Sequence, residues 1–263
     1  QDSLVVRYIV MGGKWIQTYH TNGEGMDMEG IGHVMVNCHA LGNDGAGFQV
    51  KVTSDPMNPA SDISFIGCRA SQSVNSNGFG VVNASGALPA IQFLPSNITF
   101  SDCVADDNCY TGFTFTTSGM RRISMSNCIA RSNRLGAGIQ MQEGAREFLL
   151  QNIHLAGNGR LNTPSNAWNW IMLSGKGHRL SNISMSGVDP IFDNSQTEAD
   201  IDNPANAKSQ GMYLQKTAGT TTIADVQMRG LQSHNLVNTV PIAYYTAPGV
   251  KGTAADFPGV TIS

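Results

Sequence analysis

The chain has 263 residues and a formal net charge of -3, from 16 basic and 19 acidic residues, and only 13% of its residues are charged. Charges this sparse and unclustered exclude a nucleic-acid surface or a basic membrane-binding face, and no apolar run approaches the roughly 20 residues a membrane-spanning helix needs. Too few Lys, Glu and Arg are present to clothe amphipathic helices, so strands and turns should predominate, in one elongated domain over residues 1–263.

In chain order, Leu4 to Val10 already reads as strand, with no helical cap before it, so the chain is expected to be a fragment or mature piece of a longer protein. A polar loop, His20-Thr21-Asn22-Gly23-Glu24, leads into a short strand, Met26 to Met28. The first copy of a repeated unit follows, His33-Val34-Met35-Val36-Asn37-Cys38-His39-Ala40, and then a strand from Phe48 to Val52. The unit recurs at Ile63 to Ala70 and Ile98 to Ala105, with the stretch between Phe79 and Phe93 of undetermined register.

The polar turn Asp106-Asp107-Asn108 and the strand Phe113 to Phe115 come next, then the unit at Ile123 to Ala130 and the strand Ile139 to Met141. Glu143 and Arg146 bracket a turn before the unit at Phe148 to Leu155, and two tryptophans flank one asparagine at Trp168-Asn169-Trp170. Further units are read at Leu180 to Met185 and Ile223 to Met228, with strands at Met212 to Leu214 and Ile242 to Tyr244. Pro241 to Ser263 is expected as an irregular closing segment that finishes the last coil or passes to another subunit.

Within each unit apolar and polar residues alternate with period two, the strand signature, and the alternation breaks at one small polar residue. That residue is Asn37, Gly67, Asp102, Asn127, Asn152, Asn182 or Asp225. Asn, Asp and Gly tolerate a left-handed backbone, so the column predicts a sharp bend joining two strands. Three short strands per repeat with no helix between them wind a coil, and stacked coils line up like side chains into core ladders.

Cys38, Cys68, Cys103 and Cys128 fall just after the bend and form one such ladder of small buried hydrophobes. Cys109 lies outside it. No Cys-x-x-Cys spacing or histidine pair suggests a metal, and no cofactor is expected. Three Asn-x-Ser/Thr triplets, at Asn83, Asn97 and Asn182, read as chance matches in an Asn- and Ser-rich chain.

Over residues 25 to 245 this pattern resembles the pectin-lyase-like family of right-handed parallel β-helices, which includes bacteriophage tailspike depolymerases. The bend column resembles that family's asparagine ladder. The resemblance implies an all-β, single-stranded right-handed parallel β-helix of about 8 coils and a polysaccharide partner. Its tailspike members imply a homotrimer with an extracellular or virion-associated location. It implies no reaction, because the chain lacks an Asp-Pro-His triplet, a Gly-His-Gly and an Arg-Ile-Lys, and the flanks of Asp106-Asp107 match no paired-aspartate motif.

Parity on the strand after each glycine gives an outward set: Asp27 and Glu29, Gln49 and Lys51, Thr114 and Thr116, Gln140 and Gln142, Tyr213 and Gln215, Ala243 and Tyr245. Such a polar face suits a row of sugar hydroxyls, and equally serves solubility. Binding is expected from His20, Gln49, Gln140, Gln142, Trp168, Trp170, Tyr213 and Tyr245. Glycoside hydrolysis needs two carboxyl groups, and Asp27 and Glu29, about 7 Å apart along one strand, suit inversion. Asp106 and Asp107 are a second pair, and Lys51 serves either to neutralise a sugar carboxylate or as a salt-bridge partner.

These residues lead to a tailspike-type depolymerase that hydrolyses a bacterial surface glycan. Two other readings stand beside it, a lyase or epimerase acting on a uronic-acid polymer and a non-catalytic glycan-binding or structural spike.

Overall fold

The computed structural model describes residues 9–16, 23–52, 60–83, 94–117, 119–141, 145–158, 171–173, 176–186, 212–215, 226–230, 232–234, 242–247, 250–251, 253–257 and 260–263. The first coil holds β1 (Ile9–Met11), β2 (Lys14–Ile16) and β3 (Met26–Met28), and the second β4 (Val34–Val36), β5 (His39–Leu41) and β6 (Phe48–Val52). The third has β7 (Ser61–Ile66), β8 (Arg69–Ser71) and β9 (Phe79–Asn83), and the fourth β10 (Ser96–Ser101), β11 (Val104–Asp106) and β12 (Phe113–Phe115). The fifth has β13 (Arg121–Ser126), β14 (Ile129–Arg131) and β15 (Ile139–Met141).

In the sixth and seventh coils one long strand turns the first corner, β16 (Leu149–Ala156) and β18 (Arg179–Ser186), followed by β17 (Ile171–Leu173) and β19 (Met212–Gln215). The eighth has β20 (Val226–Arg229), β21 (Gln232–His234) and β22 (Ile242–Ala247). Then β23 (Val250–Lys251) folds back antiparallel on β22, and β24 (Val260–Ile262) stacks on β20. Pro241 to Ser263, expected to be irregular, therefore carries three strands and a short 3-10 turn over Ala254–Asp256.

Apart from the β22–β23 pairing, neighbouring strands pair in parallel, each with its counterpart one coil away. The first two strands of each coil, with β24, build one sheet of 15 strands, and the third strands, with β23, build a second sheet of nine. The result is a parallel β-helix. Among the described residues no helix is long and apolar enough to cross a membrane.

Three columns of left-handed residues turn each coil. The first contains Asn37 (φ 51°), Gly67 (φ 61°), Asp102 (φ 56°), Asn127 (φ 53°), Asn152 (φ 54°) and Asn182 (φ 53°), as the sequence predicts. In the eighth coil the bend is Gly230 (φ 61°), because Arg179 pairs with Gln227 and Ser181 with Arg229, which sets Gly230 beside Asn182. Asp225, the residue read from sequence, lies outside the described residues; its repeat unit is displaced because the apolar alternation of Ile223 to Met228 fits two registers.

Two further columns, Asp62, Asn97, Arg122 and Glu147 around the start of the first strand and Gln72, Asp107 and Ser132 after the second, also have positive φ. Because these include Arg, Glu and Gln, composition did not mark them. Side-chain bonds run down the columns: Asn127 donates to Asp102 at 3.1 Å, and Asn152 to Asn127 and Asn182 to Asn152 at 3.0 Å each.

A second polar ladder lies inside. Asn108 and Asn133 are fully buried, and Asn158 nearly so. The Asn133 amide donates to Asn158 Oδ1 at 2.6 Å and to Ala105 O at 3.4 Å, while its oxygen accepts from the Asn108 amide at 2.9 Å and the Asn108 backbone N–H at 3.2 Å. These asparagines satisfy backbone groups at the corner where coils turn toward the second sheet. Their signal was in the sequence: Asn43, Asn108, Asn133 and Asn158 each stand five residues after Cys38, Cys103, Cys128 or Ile153.

The core consists of stacked like residues. Phe65 and Phe100 stack at 4.9 Å, and Phe79 stacks on Phe48 at 5.2 Å and on Phe113 at 4.8 Å. The thiols of the cysteine ladder are buried and reduced, each donating to a carbonyl one coil away, as Cys68 does to Met35 O at 3.4 Å and Cys103 to Phe65 O at 3.5 Å. Burial pushes the Cys38 thiol up from its ordinary value. His33 and His178 continue the buried column of Ile63, Ile98 and Ile123, and His178 accepts the Phe148 N–H at 3.3 Å.

Two glycines in the second sheet differ in what they tolerate. At Gly112, which precedes β12, a Cβ would stand 2.7 Å from Gly138 O and 2.9 Å from Ala130 Cβ, whereas at Gly80 the nearest atom is 3.4 Å away. Gly112→Ala should cost about 1–3 kcal/mol through overpacking, and Gly80→Ala should be neutral or slightly stabilising. Asn133→Ala, which strands several buried groups, should cost about 2 kcal/mol or more. Urea unfolding of the three variants measures each.

Candidate functional site

The outward residues of the second sheet fall into columns along the solenoid. Register runs Asp27, Gln49, Gly80, Thr114, Gln140, Met172, Tyr213 and Ala243, one per coil. The register of β9, left undetermined by the sequence, thus places Gly80 and Val82 outward. In β17 the register partner of Gln140 is Met172, a position the parity reading did not include. In register, Tyr213 pairs with Ala243 and Tyr245 with Gln215. His20, Gln142, Trp168 and Trp170 lie outside the described residues.

The acidic end of this face spans the first two coils. Lys51 Nζ hydrogen-bonds to Asp27 Oδ2 and stands 4.0 Å from Glu24 Oε1. Gln49 Nε2 donates at 3.3 Å both to Glu24 Oε1 and to Asp27 Oδ1, tying the two acids together. The side chain of Glu24 is 12% exposed and that of Asp27 34%, so one acid is sheltered and the other open. Glu29, just past β3, is exposed, and its backbone oxygen accepts from His33 Nε2 at 2.6 Å.

Burial alone would lower the Lys51 pKa, but the hydrogen bond and charge of Asp27, with the charges of Glu24 and Glu29, outweigh it and raise the pKa above its ordinary value. Sequence reading missed Glu24 as a member of this cluster. Its signal was positional: it immediately precedes Gly25, as Ala46, Asn77 and Thr111 precede the glycines that open β6, β9 and β12.

Asp106 and Asp107 are not on this face. Asp106 ends β11 in the first sheet, where Arg69 NH2 meets Oδ2 at 2.7 Å and Arg131 grips both oxygens at 3.1 Å. Asp107, in the left-handed turn that follows, is held by Arg134 through Nε and NH2 at 3.1 and 3.3 Å. Each carboxylate sits in a guanidinium fork, and the fork raises the pKa of Arg131 and of Arg134. The expected acid pair is therefore divided between two ion pairs, remote from Asp27.

Midway along the second sheet is a cleft of about 220 Å³. Its floor is Thr114, Thr116 and Gln140, and its wall is the turn carrying Tyr110 and Thr111 with Asn77 from the coil before and Leu135 and Gly136 from the coil after. Tyr110 is 46% exposed. Thr114 points outward as predicted, yet the neighbours around the cleft bury it. Among the described residues no group of three or more His, Cys, Asp or Glu is arranged to hold a metal.

The architecture is the parallel β-helix shared by pectin-lyase-like proteins. No protein-family profile matches the chain, and no curated protein matches its sequence. Among solved structures it is similar to the Azotobacter vinelandii mannuronan C-5 epimerase AlgE6 A-module, with 15% identity and a TM-score of 0.66 over 98% of this chain and 57% of that one. It is also similar to the AlgE4 A-module of the same organism, with 18% identity and a TM-score of 0.64 over 92% of this chain and 58% of that one. The chain thus spans less than three fifths of either module, and the likeness establishes a common fold.

A folded-state lysine pKa raised above its ordinary value means that the stability Lys51 supplies is fully present below the unfolded pKa and is lost as pH rises through the higher folded value. Lys51→Met should remove this alkaline component and leave a flatter stability profile above pH 10, read by thermal unfolding across pH 8 to 12 (about the range bracketing lysine titration).

Proposed function

We propose that this chain acts on a polysaccharide laid along the outward face of the second sheet, as a glycan depolymerase that hydrolyses glycosidic bonds at the acidic end. The observation that carries this reading is the gathering of Glu24, Asp27 and Glu29 around Lys51 and Gln49, on the same face as the uncharged cleft. Hydrolysis with inversion needs a carboxylate to activate water and a carboxylic acid to protonate the leaving oxygen, roughly 6.5–9.5 Å apart. Asp27, oriented by Lys51 and Gln49, suits the base, and exposed Glu29, about 7 Å along the chain by strand geometry, suits the acid. Glu24 and Gln49 orient Asp27. In a tailspike-type setting the protein is extracellular or virion-associated, works as a homotrimer, and takes a bacterial surface glycan.

A second reading is favoured by Lys51, a cation set among acids on a sugar-binding face, and by the two similar structures named as mannuronan C-5 epimerase modules. There Lys51 offsets the charge of a uronate carboxylate while a neighbouring carboxylate removes the C5 proton, leading to epimerisation or elimination. The chain has no Asp-Pro-His triplet to support that chemistry.

Incubation with a panel of capsular, O-antigen and uronate polysaccharides, followed by product sizing and mass spectrometry, tests both. Oligosaccharides one water heavier than the cut chain are expected, and Asp27→Asn or Glu29→Gln should each slow their release by about 100-fold or more. Unsaturated ends or inverted C5 centres would transfer the assignment to the uronate reading. Unchanged turnover in both variants would remove the acidic cluster from the chemistry, and an intact panel would leave a binding spike.

A further inference from the structure

We infer that the cleft under Tyr110 is a subsite for an uncharged sugar ring, separate from the acidic end, with Tyr110 as its stacking platform. The inference rests on the proposed polysaccharide binding but not on catalysis. Three coils separate Thr114 from Asp27 in the outward column and four separate Gln140, a distance of about 14–19 Å at strand spacing. One sugar cannot touch both ends, so the cleft and the acidic cluster must engage different residues of one polymer.

The chemistry of the cleft is uncharged throughout. None of its lining side chains is ionic at neutral pH, and Arg134, adjacent to Leu135, is turned away onto Asp107. Thr111 Oγ1 donates to Gln140 Oε1 at 3.3 Å, which fixes that amide and leaves its Nε2 hydrogens as donors. The Asn77 oxygen accepts the Thr111 N–H at 3.0 Å, which likewise leaves an amide NH2 as the remaining donor. Two amide donors beside a phenol ring match the face and the hydroxyl oxygens of a pyranose, and nothing there compensates a carboxylate or sulfate.

The platform is built in place. The Tyr110 backbone N–H is bonded to Ser76 O at 3.1 Å, and Leu135 N–H to Cys109 O at 2.8 Å, so the wall cannot shift independently of the coils on either side. Gly136 presses on it so closely that a Cβ there would stand 2.4 Å from Thr111 Oγ1. Only glycine at 136 keeps Thr111 bonded to Gln140. Tyr110 itself keeps nearly half its surface in solvent, whereas the described phenylalanines are buried almost completely.

Affinity electrophoresis through gels containing neutral polymers (dextran, mannan, galactomannan, glucomannan) or uronate polymers (alginate, polygalacturonate) tests the assignment. At least one neutral polymer should retard the wild type, Tyr110→Ala and Gln140→Ala should weaken retardation by about tenfold, and Tyr110→Phe should retain it. Asp27→Asn should leave retardation in place while removing cleavage. Retardation by uronate polymers alone, by none of the gels, or equally of Tyr110→Ala and wild type would overturn the subsite. Tyr110-dependent retardation without cleavage in any variant would instead keep the subsite and refute the hydrolase.

Discussion

Stacking in this molecule depends on bending each coil at the same places, and the bends need a backbone conformation that most L-residues resist. Left-handed residues cost of the order of 1 kcal/mol each unless they are Gly, Asn or Asp, so the corners are where the fold is most exposed to failure. Three features hold them. Asparagine and aspartate side chains bond to one another down the outer column, Gly67 is kept where a Cβ would lie 2.3 Å from Asn37 Oδ1, and the inner asparagines close the backbone bonds of the next corner. With the corners aligned, parallel strands pair coil on coil and the phenylalanine, isoleucine and cysteine ladders bury themselves as a consequence.

The same alignment makes the second sheet a flat surface with a fixed chemical grain. Each outward column delivers one side chain per coil at a constant interval, which is also how a regular polymer presents its units. Along this grain the character changes from acids around one lysine in the first two coils to amides, hydroxyls and a phenol in the third to fifth. The first sheet differs: there Asp106 and Asp107 are neutralised by Arg69, Arg131 and Arg134, and the charges serve cohesion between coils.

Similarity to the two epimerase modules tells of the scaffold and leaves the chemistry to the side chains, because one solenoid supports many reactions by changing what its outward columns carry. Here the columns carry no motif of the epimerase kind, and the acidic cluster is assembled from Glu24 in a loop, Asp27 on β3, and Gln49 and Lys51 on β6.

Much of the architecture was legible in the residues themselves. Period-two alternation broken by Asn, Asp or Gly is a local property, so the strands, the first bend, the cysteine ladder and the parity that turns Asp27, Gln49, Lys51, Thr114 and Gln140 outward could be read one repeat at a time. Where the local pattern admitted two registers, as between Asp225 and Gly230, or where left-handed positions fell on Arg122, Glu147 and Gln72, the reading stopped. Which residues meet was decided only by tertiary structure. Glu24 reaches Lys51, Asp106 lies between Arg69 and Arg131, and Tyr110 walls a cleft floored by Gln140, because coils of unequal length close to a common register. A residue's parity depends on its own strand, whereas its partners depend on how much chain each coil needs to return to the same corner.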